Sequence, residues 1–216
     1  MASRIEDYAL IGDCETGALV SRDGSIDWLC FPRFDSPACF AALLGNSDHG
    51  RWQIAPMGGV RAVRRHYREG TLILETEFET EDGAATVVDC MPPRTKSPYM
   101  IRMVVGKRGT VPMRTELIFR LDYGSLVPWV QRIEDGLLAV GGPDALLLRT
   151  PVELRGENFR HKADFNVSAG EQVPFILTWF PSHLPQPAAQ DAAEELGHAE
   201  EWWREWSGRC TYEGEW

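Results

Sequence analysis

Apolar and polar residues alternate with a period of two along most of this chain. Residues 71–78 and 111–121 each carry apolar side chains on one face and charged ones on the other. Residues 173–180 are apolar on both faces, which indicates a strand that is covered from two sides. Turn residues, including Lys-Arg-Gly at 107–109, separate these segments at short intervals. The pattern predicts an all-β fold, an antiparallel two-sheet β-sandwich, with a closed barrel as the structural alternative.

A hairpin and a short helix are predicted near the start of the chain. Asp23 and Gly24 lie between two strand-like segments, and this dipeptide suits a two-residue type I′ turn. Pro32 cannot donate a hydrogen bond to a strand ladder, so the second strand ends before it. Ser36 as an N-cap, followed by Pro37 in the first turn, predicts a short helix near residues 36–44.

The composition changes near the C-terminal end. Pro181, Pro185 and Pro187 mark a linker. From Ala188 onward, apolar residues recur at steps of three and four, which predicts an amphipathic helix with Trp206 on its apolar face. We therefore divide the chain into a β-sandwich domain, 1–185, and a linker with a helix, 186–216.

Charge and reactive residues exclude several classes of protein. The net charge of −10 argues against nucleic-acid binding. A basic cluster at 61–68 fits a solvated strand, the alternative being a docking face for an acidic partner. The five cysteines and five histidines lack the spacing of a disulfide framework or metal site, so we expect neither metal nor cofactor. No apolar run is long enough for a membrane span, and a charged N-terminus argues against a signal peptide. We expect a soluble, cytoplasmic protein.

Several motifs are distributed along the whole chain. The most specific are Arg-Asp-Gly-Ser-Ile-Asp-Trp-Leu at 22–29 and Pro-Arg-Phe-Asp-Ser-Pro at 32–37; the others lie at 5–8, 11–13, 91–94, 122–124, 127–130, 203–207 and 210–212. Together they resemble the prokaryotic enzymes of glycoside hydrolase family 15, the bacterial glucoamylases and trehalases. The resemblance implies a supersandwich-like N-terminal domain, followed by an (α/α)6 barrel that carries both catalytic glutamates of an inverting mechanism. No residue of this chain matches the motifs of those glutamates, so no catalytic residue is assigned.

The segment after the hairpin is the candidate site. Arg33 can donate a fork of hydrogen bonds to sugar hydroxyls or to a carboxylate. Aromatic rings offer flat apolar faces suited to pyranose rings. We predict that this loop either binds substrate beside the barrel or joins the sandwich to its own short helix. The loop residues assigned to this role are Trp28, Phe31, Arg33, Phe34 and Asp35.

The sequence therefore predicts a non-catalytic domain of a family 15-like enzyme. Its parent would hydrolyse α-glucosidic bonds in trehalose or an α-glucan, and the expected partners are the catalytic barrel and an α-glucoside. Two alternatives remain open. One is a stand-alone carbohydrate-binding module with Trp52 or Trp129 as its platform, and the other is an interaction module that self-associates into a homo-oligomer.

Overall fold

The computed structural model describes residues 3–94, 96–212 and 214, and it folds them into antiparallel β-structure with a helix near the C-terminal end. The strands are β1 (Tyr8–Gly12), β2 (Gly17–Ser21), β3 (Ser25–Cys30), β4 (Ala38–Phe40), β5 (Arg51–Pro56), β6 (Val60–Tyr67), β7 (Leu74–Thr80), β8 (Gly83–Cys90), β9 (Tyr99–Ile118), β10 (Trp129–Ile133), β11 (Gly136–Gly141), β12 (Asp144–Arg149), β13 (Arg155–Glu157), β14 (Arg160–Ser168) and β15 (Gln172–Pro181). The α-helix is α1 (Ala192–Ser207), and 3-10 turns lie at Ile5–Asp7, Ala42–Leu44, Ser47–His49 and Asp122–Gly124.

Two sheets share one long strand. The first sheet has the order β1-β2-β3-β5-β9-β14-β13, with β4 added to β3. The second has the order β6-β7-β8-β9-β15-β12-β11-β10. The N-terminal half of β9 pairs with β8 and β15, and its C-terminal half pairs with β5 and β14. The prediction of an all-β, antiparallel sandwich is confirmed.

The main core lies between the sheets and encloses a buried cation. Trp52 and Phe175, both fully buried, meet edge to face with ring centroids 6.2 Å apart. The Arg102 guanidinium lies 5.1 Å from the Trp52 ring centre and donates to Asp89 Oδ1 over 2.7 Å. Arg102 also donates to the carbonyl oxygens of Trp52 and Gly24, over 2.7 and 2.8 Å. One residue of β9 therefore fixes the β2–β3 hairpin against the second sheet.

The hairpin is confirmed, but its predicted turn type is wrong. Gly24 has a φ of +79°, whereas Asp23 is outside the left-handed region that a type I′ turn requires at both positions. The connection is a three-residue loop, closed by the Gly24 N–H donating to Ser21 O over 3.0 Å. The Asp23 side chain instead accepts from the Ser21 hydroxyl and from Gln53 Nε2.

The helix predicted near 36–44 is wrong. Residues Ala38–Phe40 form β4, which pairs with β3, and only a 3-10 turn at Ala42–Leu44 follows. Ser36 caps no helix; its hydroxyl accepts from the Arg33 N–H over 3.2 Å. Ala38 and Phe40 are fully buried, so core burial and the ladder of β3 override the local signals.

The chain does not reverse at 107–109, where a turn was predicted. Instead β9 continues through this segment and passes from one sheet to the other. Gly109 has a φ of +64°, and a Cβ there would lie 2.0 Å from Asp82 O. Glycine is therefore required where β9 bends, and the bend replaces the expected turn.

The predicted C-terminal helix is confirmed, but it begins at Ala192 rather than Ala188. Asp191 caps it by accepting from the N–H groups of Ala193 and Glu194, over 2.9 and 3.0 Å. Leu196 is among its buried residues and packs on the outer face of the second sheet. Trp206, which was predicted on the apolar face, is 55% exposed. Among the described residues, no helix has the length and apolar character needed to cross a membrane.

Candidate interdomain and ligand surface

A buried ion pair anchors the loop at 31–37. Arg94 Nε donates to Asp13 Oδ2 over 2.7 Å, and Arg94 Nη1 donates to Pro32 O over 2.5 Å. The Asp13 side chain is fully buried, and its Oδ1 accepts from the backbone N–H groups of Glu15 and Thr16. Three segments that are distant in sequence therefore meet at one point and fix the backbone of the loop.

Two further hydrogen bonds tie this loop and the strand before it to the β1–β2 connection. The Phe34 N–H donates to Glu15 O over 3.1 Å. The Thr16 hydroxyl donates to Cys30 O over 2.5 Å, at the end of β3. The loop is consequently held on both sides, which orients the exposed side chains at its tip.

Three of the predicted site residues lie together at the surface. Arg33 and Asp35 form a two-pronged pair, Nε to Oδ1 over 2.9 Å and Nη2 to Oδ2 over 3.2 Å, with both side chains largely exposed. The hydrogen bond from Arg33 lowers the pKa of the Asp35 carboxyl. Phe34 is 63% exposed, and its ring lies against Gly17. The tip therefore offers a cation, an anion and an aromatic face.

The other two predicted residues point inward. Phe31 is 3% exposed and belongs to the main core, so within this domain its ring has no free face for a sugar. It lines a cavity of about 260 Å³ together with Leu126. Trp28 is half-buried and lies 6.1 Å from Tyr123, ring centre to ring centre. Both residues therefore connect the loop to the segment that follows β9.

That segment contributes to an exposed aromatic surface. Trp129, 76% exposed, and Phe159, 74% exposed, flank a groove of about 650 Å³ beside Val127, with Tyr123 close in sequence. We call Val127, Trp129 and Phe159, which line the groove, the aromatic surface. Sequence reasoning named only Trp129 here; the motifs at 122–124 and 127–130 were the available signal. Trp52, the other suggested platform, is fully buried and donates to Thr115 Oγ1.

The aromatic surface rests on a tight hairpin turn and a buried cation. Asn158 and Phe159 have φ values of +51° and +58°, the left-handed pair of a two-residue turn between β13 and β14. Arg120, 9% exposed, donates to the carbonyl oxygens of Phe119 and Phe159, over 2.7 and 3.4 Å. Burial lowers the pKa of Arg120. His161 also lines the groove, and burial lowers its pKa.

The aspartates near the start of the chain have structural roles. Asp13 binds Arg94, Asp23 closes the hairpin, and Asp35 pairs with Arg33. Asp27 accepts from the Tyr8 and Ser25 hydroxyls, over 2.6 and 2.5 Å. Among the described residues, no three His, Cys, Asp or Glu side chains are grouped so that they could hold a metal ion.

Most of the basic cluster at 61–68 is paired with carboxylates of the same domain. Arg64 pairs with Glu77 over 2.8 Å. Arg68 pairs with Glu75 over 2.7 Å and with Glu200 of α1 over 2.5 Å. This arrangement favours a solvated strand over a docking face for an acidic partner.

The fold and these motifs define an all-β domain, and comparison with known proteins identifies its family. Residues 1–203 match the family model described as "Trehalase-like, N-terminal". A trehalase of Mycobacterium tuberculosis is 31% identical over 229 residues, covering 94% of this chain and 33% of its own length. A trehalase of Thermoplasma acidophilum is 27% identical over 91% of this chain and 35% of its own length. Trehalase 1 of Sulfolobus acidocaldarius is 38% identical over 62% of this chain and 22% of its own length.

The chain therefore belongs to the trehalase-like N-terminal domain family. It spans about a third of the length of the first two relatives and about a fifth of the third.

Proposed function

We propose that this chain is the non-catalytic N-terminal domain of a family 15-like glycoside hydrolase. Its parent protein hydrolyses an α-glucosidic bond, in trehalose or an α-glucan, with inversion at the anomeric carbon. The observation that carries the proposal is the alignment of 94% of this chain with one third of a trehalase. The structural roles of Asp13, Asp23, Asp27 and Asp35 support it, because a pair of carboxyl groups free to exchange protons is required for this chemistry.

The domain organisation is part of the same proposal. Residues 1–185 form the sandwich, and residues 186–216 lead to the catalytic (α/α)6 barrel. The end of β15 at Pro181 and the stretch without regular structure before α1 support this boundary.

We also propose a cytoplasmic location, which the free thiols of Cys30, Cys39 and Cys90 support.

The main experiment compares this chain with the longer protein that carries it. Both are assayed on trehalose and maltose, with the M. tuberculosis trehalase as positive control and circular dichroism to verify folding. We expect turnover by the longer protein only, with NMR showing that trehalose initially gives β- and α-glucose in equal amounts, because inversion at the attacked anomeric carbon leaves the other glucose in the α form. Hydrolysis by the 216-residue chain itself would contradict the non-catalytic role.

We further propose that the 31–37 loop forms part of the wall of the substrate cleft. The exposed Arg33, Phe34 and Asp35, held on an anchored backbone, support this role. In the longer protein, Arg33→Ala should lower kcat/KM for trehalose and leave the melting temperature unchanged. A lower melting temperature with unchanged kcat/KM would instead assign the loop a role in stability only.

A second candidate function is a stand-alone α-glucan-binding module. The exposed Trp129 beside the large groove favours it, because sugar rings stack on such side chains. Calorimetric titration of this chain with maltooligosaccharides tests it. Measurable heat that Trp129→Ala abolishes would support binding, and its absence would exclude this candidate.

A further inference from the structure

We propose that the aromatic surface, Val127, Trp129 and Phe159, is the face on which the catalytic domain of the parent protein docks. This inference rests on the proposed function and assigns the interdomain contact to particular residues. It is independent of the role of Arg33, because a docking face need not touch the substrate.

The first argument is exposed apolar area. Trp129 and Phe159 are 76% and 74% exposed, Val127 is 51% exposed, and all three line one groove of about 650 Å³. The turn between β13 and β14 holds the Phe159 ring at the surface, because Asn158 and Phe159 form its two residues. Contiguous exposed apolar side chains of this kind mark a contact site for a protein or a ligand. A docked domain would cover them.

The second argument is the chemistry of the groove. Arg120 lies nearly buried along it and forms no ion pair with any residue in the described part of the chain; its donors reach only carbonyl oxygens. Trp, Tyr and Arg are the residues that dominate the energy of protein interfaces, at positions that exclude water. A carboxylate from a docked domain would pair with Arg120, and apolar side chains would cover Trp129 and Phe159.

The third argument selects the occupant. The chain spans a third of the length of a trehalase that matches most of it, so a large further domain is the expected neighbour. The surface is close to the 31–37 loop, because Leu126, the chain neighbour of Val127, lines a small cavity together with Phe31. A second copy of this chain is disfavoured, since two domains of net charge −10 repel each other.

The experiment measures amide hydrogen exchange at residues 121–130 and 156–161, in the 216-residue chain and in the longer protein. We expect exchange in these two segments to be at least about tenfold slower in the longer protein. A double variant, Trp129→Ala with Phe159→Asn, should remove that protection in the longer protein. The matched control is Met57→Ala, an exposed apolar residue directly after β5 that does not line the groove, and it should leave the protection unchanged.

The outcomes separate this inference from the proposed function. Equal exchange in both proteins, while the longer one hydrolyses trehalose or maltose, overturns the docking face and leaves the proposed function intact. Slower exchange in a longer protein that hydrolyses neither sugar supports docking and contradicts the proposed function. Two results for the 216-residue chain would overturn docking. Slower exchange that accompanies self-association, detected by light scattering, would assign the surface to a second copy of the chain. Slower exchange on addition of maltooligosaccharides, with binding detected by calorimetry, would assign it to a sugar.

Discussion

Replacing Arg94 with methionine should destabilise the domain far more than the same change at Arg33. Both arginines pair with an aspartate near the 31–37 loop, but Arg94 is 8% exposed and its partner Asp13 is fully buried, whereas Arg33 and Asp35 are 66% and 72% exposed. Removing one member of a buried pair leaves an uncompensated charge and costs about 3–5 kcal/mol. An exposed pair contributes little, because water replaces the lost contact.

The structure places the expected loss at the lower end of this range. In Arg94→Met, Asp13 keeps two hydrogen bonds from the N–H groups of Glu15 and Thr16, so its carboxylate is not stranded completely. We expect a loss of about 3 kcal/mol in the free energy of unfolding. For a domain of this size, that corresponds to a fall of roughly 6–12 °C in melting temperature.

The assay is urea unfolding monitored by tryptophan fluorescence, supported by a thermal melt of each variant. A double variant, Arg94→Met with Asp13→Asn, should recover part of the loss, because it removes the buried negative charge. If Arg94→Met unfolds at the same urea concentration as Arg33→Met, the reasoning that burial of the pair anchors the loop is refuted.

Three further predictions concern the helix, the central cation and pH. Leu196→Ala should cost about 2–4 kcal/mol in urea unfolding because it opens a cavity under α1, whereas the exposed Glu201→Ala should cost little; equal effects would mean that α1 does not pack on the sheet. Arg102→Met should cost about 3–5 kcal/mol by the same assay, and a loss below about 1 kcal/mol would contradict its buried pairing. Burial lowers the pKa of His161, so the unfolded chain binds its proton more readily, and stability should fall as the pH drops from about 7 toward 5. His161→Gln should flatten that dependence in urea unfolding at several pH values, unlike the exposed His183→Gln; an unchanged slope would exclude His161 as its source.

The local features of the fold were predictable from the sequence. The β2–β3 hairpin follows from Asp23 and Gly24, and the alternation at 71–78 gives the buried and wet faces of β7. These signals lie within a few residues of each other, so no distant partner is needed to interpret them. The type of turn was not predictable, since the side chain of Asp23 bonds to Ser21 and to the distant Gln53.

The errors arose where distant segments decide the structure. Residues 36–44 carry valid helix-start signals, but β3 offers a ladder that buries Phe40, and only the assembled sheet shows this. The segment at 107–109 has the composition of a turn, but Gly109 instead lets β9 bend between two sheets. Local propensity cannot anticipate a partner strand that forms from another part of the chain.

The candidate site was only partly predictable for the same reason. Arg33, Phe34 and Asp35 are exposed on the loop that the sequence indicates, but Phe31 fills the core. The anchor of the loop joins Arg94 to a residue 81 positions away, so no spacing rule could find it. The left-handed backbone of Phe159 is likewise invisible in a sequence, where phenylalanine predicts burial.

The shared strand β9 has a consequence for synthesis of the protein. Its twenty residues pair with β5, β8, β14 and β15, so neither sheet can close until the ribosome has released residues 99–118. At a synthesis rate of about 5–20 residues per second, β1 to β8 remain for several seconds with strand edges that have no partner. Chaperone binding to the nascent chain is therefore expected to be strongest between completion of β5 and emergence of β15, and to end once β9 is paired on both sides.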